Sequence, residues 1–363
     1  MRYRRCVVAL AVTAAAATAA CSAQPPVAPT YAVPAPTGDA VLHVAPDGDD
    51  EGPGTEREPL ATISAAAERA RPGTTVLVGD GTYEGDVRTA ADGTPDARIA
   101  FVAQSPAASI RTDGNATGGW ENDGDYVDIV GFTLTGDNED GIFNRGSHVR
   151  IMNNRVSQFP GNCIYTANDD YDLTDIDVIG NIASDCGESN LDHAIYVTHQ
   201  GGVIANNLAY GAPGFGIHCW HACNRITIVN NVVFDNGEGG IVIGGANDDD
   251  VPVEDSLVAN NIVVANAREG IREGGDSGSG NRFLNNLLWD NERDQILLRD
   301  GEEAGTIVAD PQFVDYRADG AGDYRLLPSS PAVGRGTSEM APPVAIDGTP
   351  RPTGAVDLGA YQL

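Results

Sequence analysis

The sequence contains no lysine, so arginine supplies all 22 of its basic residues. Against these stand 52 acidic residues, and the formal net charge is −30. A charge of this sign repels nucleic acids and anionic membranes, so we expect no nucleic acid partner. It also opposes binding of an acidic polymer, unless arginine or a bound cation reverses the field locally. The acidity by itself requires no ligand, because a charged surface also keeps an exported protein soluble.

The chain has little continuous hydrophobic sequence. Its one long apolar run, residues 6–20, follows a basic start and is too short to span a bilayer. Residues 1–20 are therefore predicted to be a secretory signal peptide. The "TAAC" that ends at Cys21 resembles a bacterial lipobox, although Thr18 stands where an aliphatic residue is usual. We expect a lipid on Cys21, with simple signal cleavage as the alternative.

Residues 21–40 are rich in proline and alanine and lack apolar periodicity, which is typical of a tether. The remaining residues, 41–363, fit one elongated domain. These observations predict a monomer outside the cell, which is either anchored to the cell surface through the lipid or secreted. The lipid would be its only contact with a membrane.

Cysteine is scarce, and only four cysteines follow Cys21. They are Cys163, Cys186, Cys219 and Cys223. An even number in an exported chain favours disulfides. Zinc binding by "GIHCWHAC" is the alternative, but a strand would point neighbouring ligands to opposite faces. We predict a Cys219–Cys223 disulfide and, by elimination, a Cys163–Cys186 disulfide, while metal binding and cross-pairing stay open.

An asparagine recurs inside short apolar runs such as "IMNNRV" and "IVNNVV". Six such positions are separated by 27, 26, 24, 30 and 25 residues: Asn154, Asn181, Asn207, Asn231, Asn261 and Asn286. A period of this size predicts a solenoid, in which each coil buries its apolar residues against its neighbours. Asparagine suits each turn because it tolerates left-handed backbone and its amide can bond along the stack.

Two further segments carry a resemblance to a known family. Residues 42–83 read "LHVAPDGDDEGPGTEREPLATISAAAERARPGTTVLVGDGTY", and the tail contains "DPQFVDYRADGAGDYRLLPSSPAVGRG". The chain resembles the right-handed parallel β-helix proteins of the pectate-lyase-like superfamily, and its N-terminal module is similar to that of family 9 pectate lyases. The resemblance implies an all-β fold, with 41–83 as N-terminal cap and first coil and 306–363 as C-terminal cap and tail. Thr62 is predicted to begin a short helix that covers the open end of the solenoid.

Strand alternation assigns directions to the side chains of the repeat. An isoleucine of each coil is placed inside the solenoid: Ile164, Ile195, Ile217, Ile241, Ile271 and Ile296. The residue after it then points outward, which puts Tyr165, Tyr196, His218 and Arg272 on one outer face with Trp220 beside them. Neighbouring strands lie about 4.8 Å apart, so Tyr196 and His218 can contact one substrate.

This outward set matches what a polysaccharide lyase needs to break a uronate polymer by β-elimination. Histidine or tyrosine can act as base and acid, and arginine can neutralise the carboxylate. We predict catalytic roles for four residues and rank the two histidines first as the base: His193, His218, Tyr196 and Arg272. The residues predicted to bind the polysaccharide are Tyr165, Trp220, His199, His221 and Asp192. The alternative is that outward aromatic side chains are ordinary solenoid surface.

The family resemblance also implies a lysine base and a cluster of calcium-binding aspartates. This chain has no lysine, so that base cannot be transferred to it, and Arg272 is an alternative base. Two acidic segments, 169–177 and 248–255, offer oxygen ligands for Ca²⁺, although neither has the spacing of a known calcium loop. Solvated loops are the alternative, and no other cofactor is expected.

Two other functions stay open. A β-helix glycoside hydrolase would need two carboxylates on either side of the scissile bond, for which Asp192 with Asp140 or Glu273 are weak candidates. A non-catalytic carbohydrate-binding or adhesive surface protein would also suit an acidic solenoid on a tether. Asp192 can alternatively orient an imidazole or cap a turn.

Overall fold

The computed structural model describes residues 40–245 and 252–363. The predicted signal peptide, Cys21 and nearly all of the predicted tether lie outside the described residues. The same holds for residues 248–251 of the second acidic segment.

Within the described residues, short strands form three long parallel sheets and one antiparallel pair. Sheet 1 consists of Val41–Val44, Thr75–Val78, Ile99–Ala103, Val127–Val130, Arg150–Met152, Asp177–Ile179, Val203–Ala205, Thr227–Val229, Leu257–Ala259, Arg282–Leu284 and Glu302–Ala304. Sheet 2 consists of Gly81–Glu84, Ala108–Thr112, Thr133–Gly136, Arg155–Ser157, Ile182–Ser184, Leu208–Tyr210, Val232–Phe234, Ile262–Val264, Leu287–Trp289 and Ile307–Val308. Sheet 3 consists of Val87–Thr89, Gly118–Asn122, Asp140–Asn144, Ile164–Thr166, Ile195–Val197, Phe215–Cys219, Gly239–Gly245, Glu269–Gly275 and Ile296–Leu297. The antiparallel pair is Phe313–Asp315 with Asp323–Leu326.

The order of the strands along the chain shows how the coils are built. From the second coil onward, the chain passes through sheet 1, then sheet 2, then sheet 3, and returns to sheet 1 one coil further along. Each strand therefore pairs in parallel with the equivalent strand of the neighbouring coil. The predicted all-β fold, a parallel β-helix, is confirmed.

The turn between sheet 1 and sheet 2 explains the repeated asparagine. Each recurrent asparagine is buried, and the amide of every one except Asn286, the last, donates to the side-chain oxygen of the asparagine one coil further at 2.9–3.1 Å. The residue before it has left-handed backbone, with φ of 55° at Asn206 and 69° at Gly180. The left-handed backbone and the bond along the stack, which were both predicted for one asparagine, are divided between two successive positions. Glycine replaces the first asparagine in one coil because only the second must bond along the stack.

The predicted inward isoleucines pair in register along sheet 3. All are fully buried except Ile296, which lies in the last coil and is half-buried. Trp120 occupies the equivalent position of an earlier coil and packs against Phe132. The core is therefore a continuous apolar column inside the three sheets.

One helix, Ile63–Arg69, is found in the described residues. Its N-cap is Thr62, whose side chain accepts a hydrogen bond from the backbone N–H of Ala65. The helix buries Ile63, Ala66 and Ala67 against the first coils. In the part of the chain that the structure describes, no helix has the length and apolar character needed to cross a membrane.

The predicted C-terminal cap and tail, residues 306–363, first adds the strand Ile307–Val308 to sheet 2 and then runs back along the side of the solenoid. Phe313, Tyr324 and Leu358 belong to an apolar cluster with Tyr210 and Phe234 of sheet 2. This segment covers the outer face of sheet 2. The outer face of sheet 3 instead leaves a line of side chains half-exposed, and this is where we place the candidate site.

Candidate active site on the outer face of sheet 3

The outer face of sheet 3 carries a row of side chains, one from each coil. In order along the solenoid the row contains Tyr165, Tyr196, His218, Val242, Arg272 and Leu297. This is the register that strand alternation predicts. The rings of Tyr165 and Tyr196 stack with centroids 4.9 Å apart, and His218 stacks on Tyr196 at 4.7 Å. A hydroxyl and an imidazole are therefore neighbours on one line, and a guanidinium follows on the same line after the buried Val242.

His193 lies directly behind His218. Its Nε2 atom is 2.5 Å from Nδ1 of His218, and its Nδ1 atom accepts a hydrogen bond of 2.9 Å from the backbone N–H of Phe215. Burial lowers the pKa of His193 to about 3. Burial, together with the neighbouring His193, holds the pKa of His218 well below its usual value. Both imidazoles are therefore uncharged at neutral pH.

Trp220 lies beside the row because two glycines leave room for its indole. A methyl group added at Gly244 would come within 2.5 Å of Cζ3 of Trp220, and one at Gly274 would lie 3.3 Å from the same atom. The Gly274 methyl would also lie 3.3 Å from Nε of Arg272, so the indole and the guanidinium flank the same glycine. A half-exposed indole in this position offers a flat surface on which a sugar ring can stack.

Both predicted disulfides, Cys163–Cys186 and Cys219–Cys223, are confirmed. All four sulfur-bearing residues are buried. The Cys219–Cys223 bridge closes a short loop that contains Trp220, and this loop forms the rim of the row. The cysteines of "GIHCWHAC" are consequently not free thiolates, which removes the sulfur ligands of the zinc alternative.

Arg272 is the cation of the row. Within residues 40–245 and 252–363 it has neither a carboxylate partner nor a hydrogen bond. Other arginines near the row are paired, since Arg268 contacts Glu238 and Arg145 lies 2.7 Å from Asp123. An arginine without a protein counterion can bind an anionic group of a ligand.

Two loops form a wall along one side of the row. Tyr171 and His221 stack with ring centroids 4.3 Å apart and so connect the two loops. Beside them lies an open pocket of about 390 Å³ that is lined by Phe143, Arg145, Tyr165, Ala167, Asn168, Asp169, Asp170 and Tyr171. The guanidinium of Arg145 lies 4.6 Å from the centre of the Phe143 ring. The row and the two loops together enclose a cleft, and aromatic rings line the floor of this cleft.

The structure corrects three of the predicted site residues. His193 is 2% exposed, so it cannot reach a polysaccharide directly and cannot be its base. His199 is fully buried with Nδ1 2.8 Å from Oγ1 of Thr166, so the prediction that it binds substrate is wrong. His193 and His199 are separated from the inward-pointing Ile195 by two and by four positions. Because side chains alternate along a strand, an even separation predicts that both point inward as well. Asp192 caps a turn, because its Oδ2 atom accepts hydrogen bonds from the backbone N–H groups of residues 188 and 189.

The carboxylates suggested for a hydrolase are also structural. Asp140 is buried, and its Oδ1 atom accepts hydrogen bonds from the backbone and the side chain of Asn162. Glu273 is buried, and its Oε2 atom accepts three hydrogen bonds from the backbone N–H groups of residues 299–301. Neither side chain can flank a glycosidic bond on the outer face.

Two aspartates of the first acidic segment lie at the cleft. No group of three or more histidine, cysteine, aspartate or glutamate side chains in 40–245 and 252–363 is arranged to hold a metal ion. Asp169 and Asp170 line the pocket beside Tyr165, but two carboxylates fall short of the roughly six to eight oxygen ligands that calcium takes. The second acidic segment lies partly outside the described residues.

Three further residues belong to the cleft and were not predicted from the sequence. Phe143 pairs with Tyr165 one coil earlier and extends the aromatic row, as strand alternation around Ile142 could have shown. Arg145 and Tyr171 lie outside the strands, and no periodicity marks them.

Comparisons with known proteins agree with this architecture. The family model described as "Pel9A-like, right handed beta helix region" matches residues 42–302. A pectate lyase of Emericella nidulans is 23% identical over 305 residues, which cover 69% of this chain and 73% of that protein. Pectate lyase L of Paenibacillus polymyxa is 25% identical over 303 residues, which cover 72% of this chain. The match spans 65% of the Paenibacillus protein, slightly less than two thirds of its length.

A solved structure of pectate lyase Pel9A superimposes with a TM-score of 0.63 at 17% sequence identity. The superposition covers 89% of this chain and 96% of the other. At this level of identity the similarity concerns the fold, including its right-handed coiling.

Proposed function

This chain belongs to the Pel9A-like right-handed β-helix family, and on that premise we propose that it is an exported polysaccharide lyase. Its substrate is a glycan that contains uronate residues, and the reaction is β-elimination. The single observation that carries the proposal is the row of Tyr196, His218 and Arg272 on the half-exposed outer face of sheet 3.

Each residue of the row has a role in this proposal. Arg272 lacks a protein counterion in the described residues and neutralises the uronate carboxylate with paired hydrogen bonds. Neutralisation acidifies the proton on the carbon next to the carboxylate. His193 is buried, and Nδ1 of His218 accepts from it, which leaves the ring hydrogen of His218 on Nε2, so neither histidine supplies the base. The hydroxyl oxygen of Tyr196, which is next in the row, takes that role in its deprotonated form.

The elimination then proceeds in two proton transfers. The phenolate oxygen of Tyr196 removes the proton at C5, and the electron pair of that bond forms the C4=C5 double bond. The bond from C4 to the glycosidic oxygen breaks, and that oxygen receives the proton back from Tyr196. The enzyme is unchanged at the end, and one product carries an unsaturated uronate.

The remaining cleft residues bind the neighbouring sugars of the polymer. Trp220 stacks on one ring, and the pocket that contains Tyr165 and Arg145 receives another. His221 contributes as part of the wall through its stack on Tyr171. Arg272 offsets the acidity of the chain where an anionic polymer must approach.

The location and assembly are part of the same proposal. Two disulfides suit an oxidising compartment, which supports export. We propose that the enzyme acts as a monomer at the cell surface through a lipid on Cys21, or in the medium if the leader is simply cleaved. The proposed elimination includes no step that uses calcium.

A panel of polymers tests the proposal. The chain without its leader is incubated with pectate, alginate, glucuronan, glycosaminoglycans and neutral glycans, with and without calcium. We expect ultraviolet absorbance of an unsaturated product from at least one uronate polymer. New reducing ends without that absorbance would replace the lyase by a hydrolase. Binding without any cleavage would make the row a docking face of an adhesive protein.

A further inference from the structure

The two histidines of the site together decide which nitrogen of His218 carries hydrogen. Nδ1 of His193 accepts a hydrogen bond from the N–H of Phe215, so the hydrogen of the neutral His193 ring is on Nε2. That N–H lies 2.5 Å from Nδ1 of His218 and donates to it. Nδ1 of His218 is therefore an acceptor, and the hydrogen of the His218 ring is on Nε2.

The opposite tautomer of His218 conflicts with the same contacts. A hydrogen on its Nδ1 would require Nε2 of His193 to accept, which moves the His193 hydrogen to Nδ1. The hydrogen on Nδ1 of His193 would then point at the backbone N–H of Phe215, whose nitrogen is 2.9 Å from that Nδ1 atom. His193 is buried, so water cannot replace the lost acceptor. A buried donor without an acceptor is destabilising, because it has given up its hydrogen bond to water without a replacement. A charged His218 meets the same obstacle, because two N–H groups would point at each other.

We propose that His193 is a positioning residue that holds His218 as an uncharged hydrogen-bond donor, with Nε2–H directed to a carboxylate oxygen of the uronate. The identity of the ligand rests on the proposed function, whereas the tautomer follows from the contacts alone. Nε2 of His218 has no hydrogen-bond partner among the described residues. Arg272 follows two strands further along the row, on the order of 10 Å between backbones, and its long side chain can reach the same anion.

The groups around His218 favour an uncharged ring. Tyr196 stacks on it, Arg272 lies on the same face, and His221 is close enough to lower its pKa further when protonated. Among residues 40–245 and 252–363, the carboxylate that acts on this pair is Asp192, which influences His193 rather than His218 and is held by the turn that it caps. An uncharged donor next to an arginine binds a carboxylate without losing its hydrogen between about pH 5 and pH 8.

Nitrogen NMR of the imidazole rings tests the proposal. The chain is labelled with ¹⁵N-histidine, the His218 signals are assigned by a His218→Gln variant, and spectra are recorded between about pH 5 and pH 8. We expect Nε2 of His218 to be protonated, Nδ1 to be unprotonated, and neither shift to titrate. A hydrogen on Nδ1, or titration at an ordinary histidine pKa of about 6.5, would overturn the proposal.

Two substitutions of His193 separate positioning from packing. In His193→Gln the amide oxygen can accept from Phe215 and the amide N–H can donate to His218, so the tautomer and its pH independence should persist. In His193→Leu the donor is lost, and the pKa of His218 should rise by about one unit or more. The proposal fails if the leucine variant leaves the His218 signals unchanged or if the glutamine variant alters them as much as leucine does.

Activity gives an independent readout for the same variants. With a uronate polymer that the enzyme cleaves, kcat/KM of His193→Gln should stay within about threefold of the wild type, and that of His193→Leu should fall by about tenfold or more. Equal loss in both variants would contradict the positioning role. If no polymer is cleaved, the proposed lyase function fails, while the wild-type NMR spectra still decide the tautomer.

Discussion

The imidazole of His218 stacks on the phenol ring of Tyr196, with ring centroids 4.7 Å apart and an angle of 11° between the planes. This separation is the spacing of neighbouring strands, so the two groups come from successive coils of the solenoid. A repeat that stacks coils in register thereby places different chemical groups in a line without any local motif. The cleft follows from the register together with two loops that rise beside it.

Trp220 should contribute to binding of the polymer rather than to the chemical step. Trp220→Ala removes the flat surface beside Arg272, and we expect KM to rise by about fivefold to tenfold with little change in kcat, since stacking of this kind contributes about 1 kcal/mol. Steady-state kinetics on the cleaved polymer measures both constants. Trp289→Ala is the matched control, because Trp289 is 43% exposed but lies on sheet 2. Equal effects of the two changes would contradict this role.

The two disulfides should act differently. Serine at both Cys163 and Cys186 removes a link across 23 residues, and chain entropy predicts a loss of about 3 kcal/mol in the free energy of unfolding. Serine at both Cys219 and Cys223 opens a link across only 4 residues, with a loss of about 2 kcal/mol. We expect the second variant to lose more activity, because its loop carries Trp220. Urea unfolding and kcat/KM of both variants check this, and the reverse order of activities would refute it.

Asp140 should make the stability of the protein depend on pH. Burial raises the pKa of this carboxyl to about 6, against 3.8 for an exposed one. Its folded-state pKa is raised, so the ionised form opposes folding above about pH 6, and this penalty disappears as the pH falls below about 4. The full effect is about 3 kcal/mol.

The substitution Asp140→Asn measures that effect. It keeps an oxygen that can accept from Asn162, and it removes the charge. The difference in free energy of unfolding between variant and wild type should therefore shift in favour of the variant by about 3 kcal/mol from pH 4 to pH 7. Asp96→Asn, at an exposed position, is the control. A difference that does not change with pH for Asp140→Asn would disprove the interpretation.

The asparagine ladder should be a major source of stability. The side-chain amide N–H of Asn231 donates to the carbonyl of Ile204 and to the side-chain oxygen of Asn261. Its side-chain oxygen accepts from the backbone N–H and from the side-chain amide of Asn207. Asn231→Ala should lower the free energy of unfolding by about 2–4 kcal/mol, because it leaves buried groups of the neighbouring coils unpaired. Denaturant titration measures this value. Asn190→Ala, at an exposed position, should change it by less than about 0.5 kcal/mol.

The repeat made the fold and the outer row predictable from the sequence. Strand alternation has a period of two, and an asparagine at each turn aligns the coils, so the register of Tyr165, Tyr196, His218 and Arg272 follows from counting. The same counting would have indicated that His199 is buried. His199 was predicted to bind substrate because it is a histidine, although its even separation from Ile195 places its side chain inside the solenoid.

The loops were not predictable in the same way. The contact between His193 and His218 joins residues of neighbouring coils through a turn whose shape no periodicity encodes. The stack of Tyr171 on His221 joins two loops for which only tertiary packing decides the arrangement. The course of the C-terminal segment along sheet 2 likewise depends on an apolar face that the sequence shows only after the coils are stacked.

The central claim is that Tyr196 is the base of a lyase, and the comparison of Tyr196→Phe with Tyr165→Phe tests it most directly. Both changes keep the stacked ring and remove one hydroxyl, and burial raises the pKa of Tyr165 to about 12, so its hydroxyl stays protonated. The measurement is kcat, followed by the ultraviolet absorbance of the unsaturated product. Our account predicts a loss of about a hundredfold or more for Tyr196→Phe and less than about fivefold for Tyr165→Phe. Full activity of Tyr196→Phe, or equal losses in both variants, would contradict it.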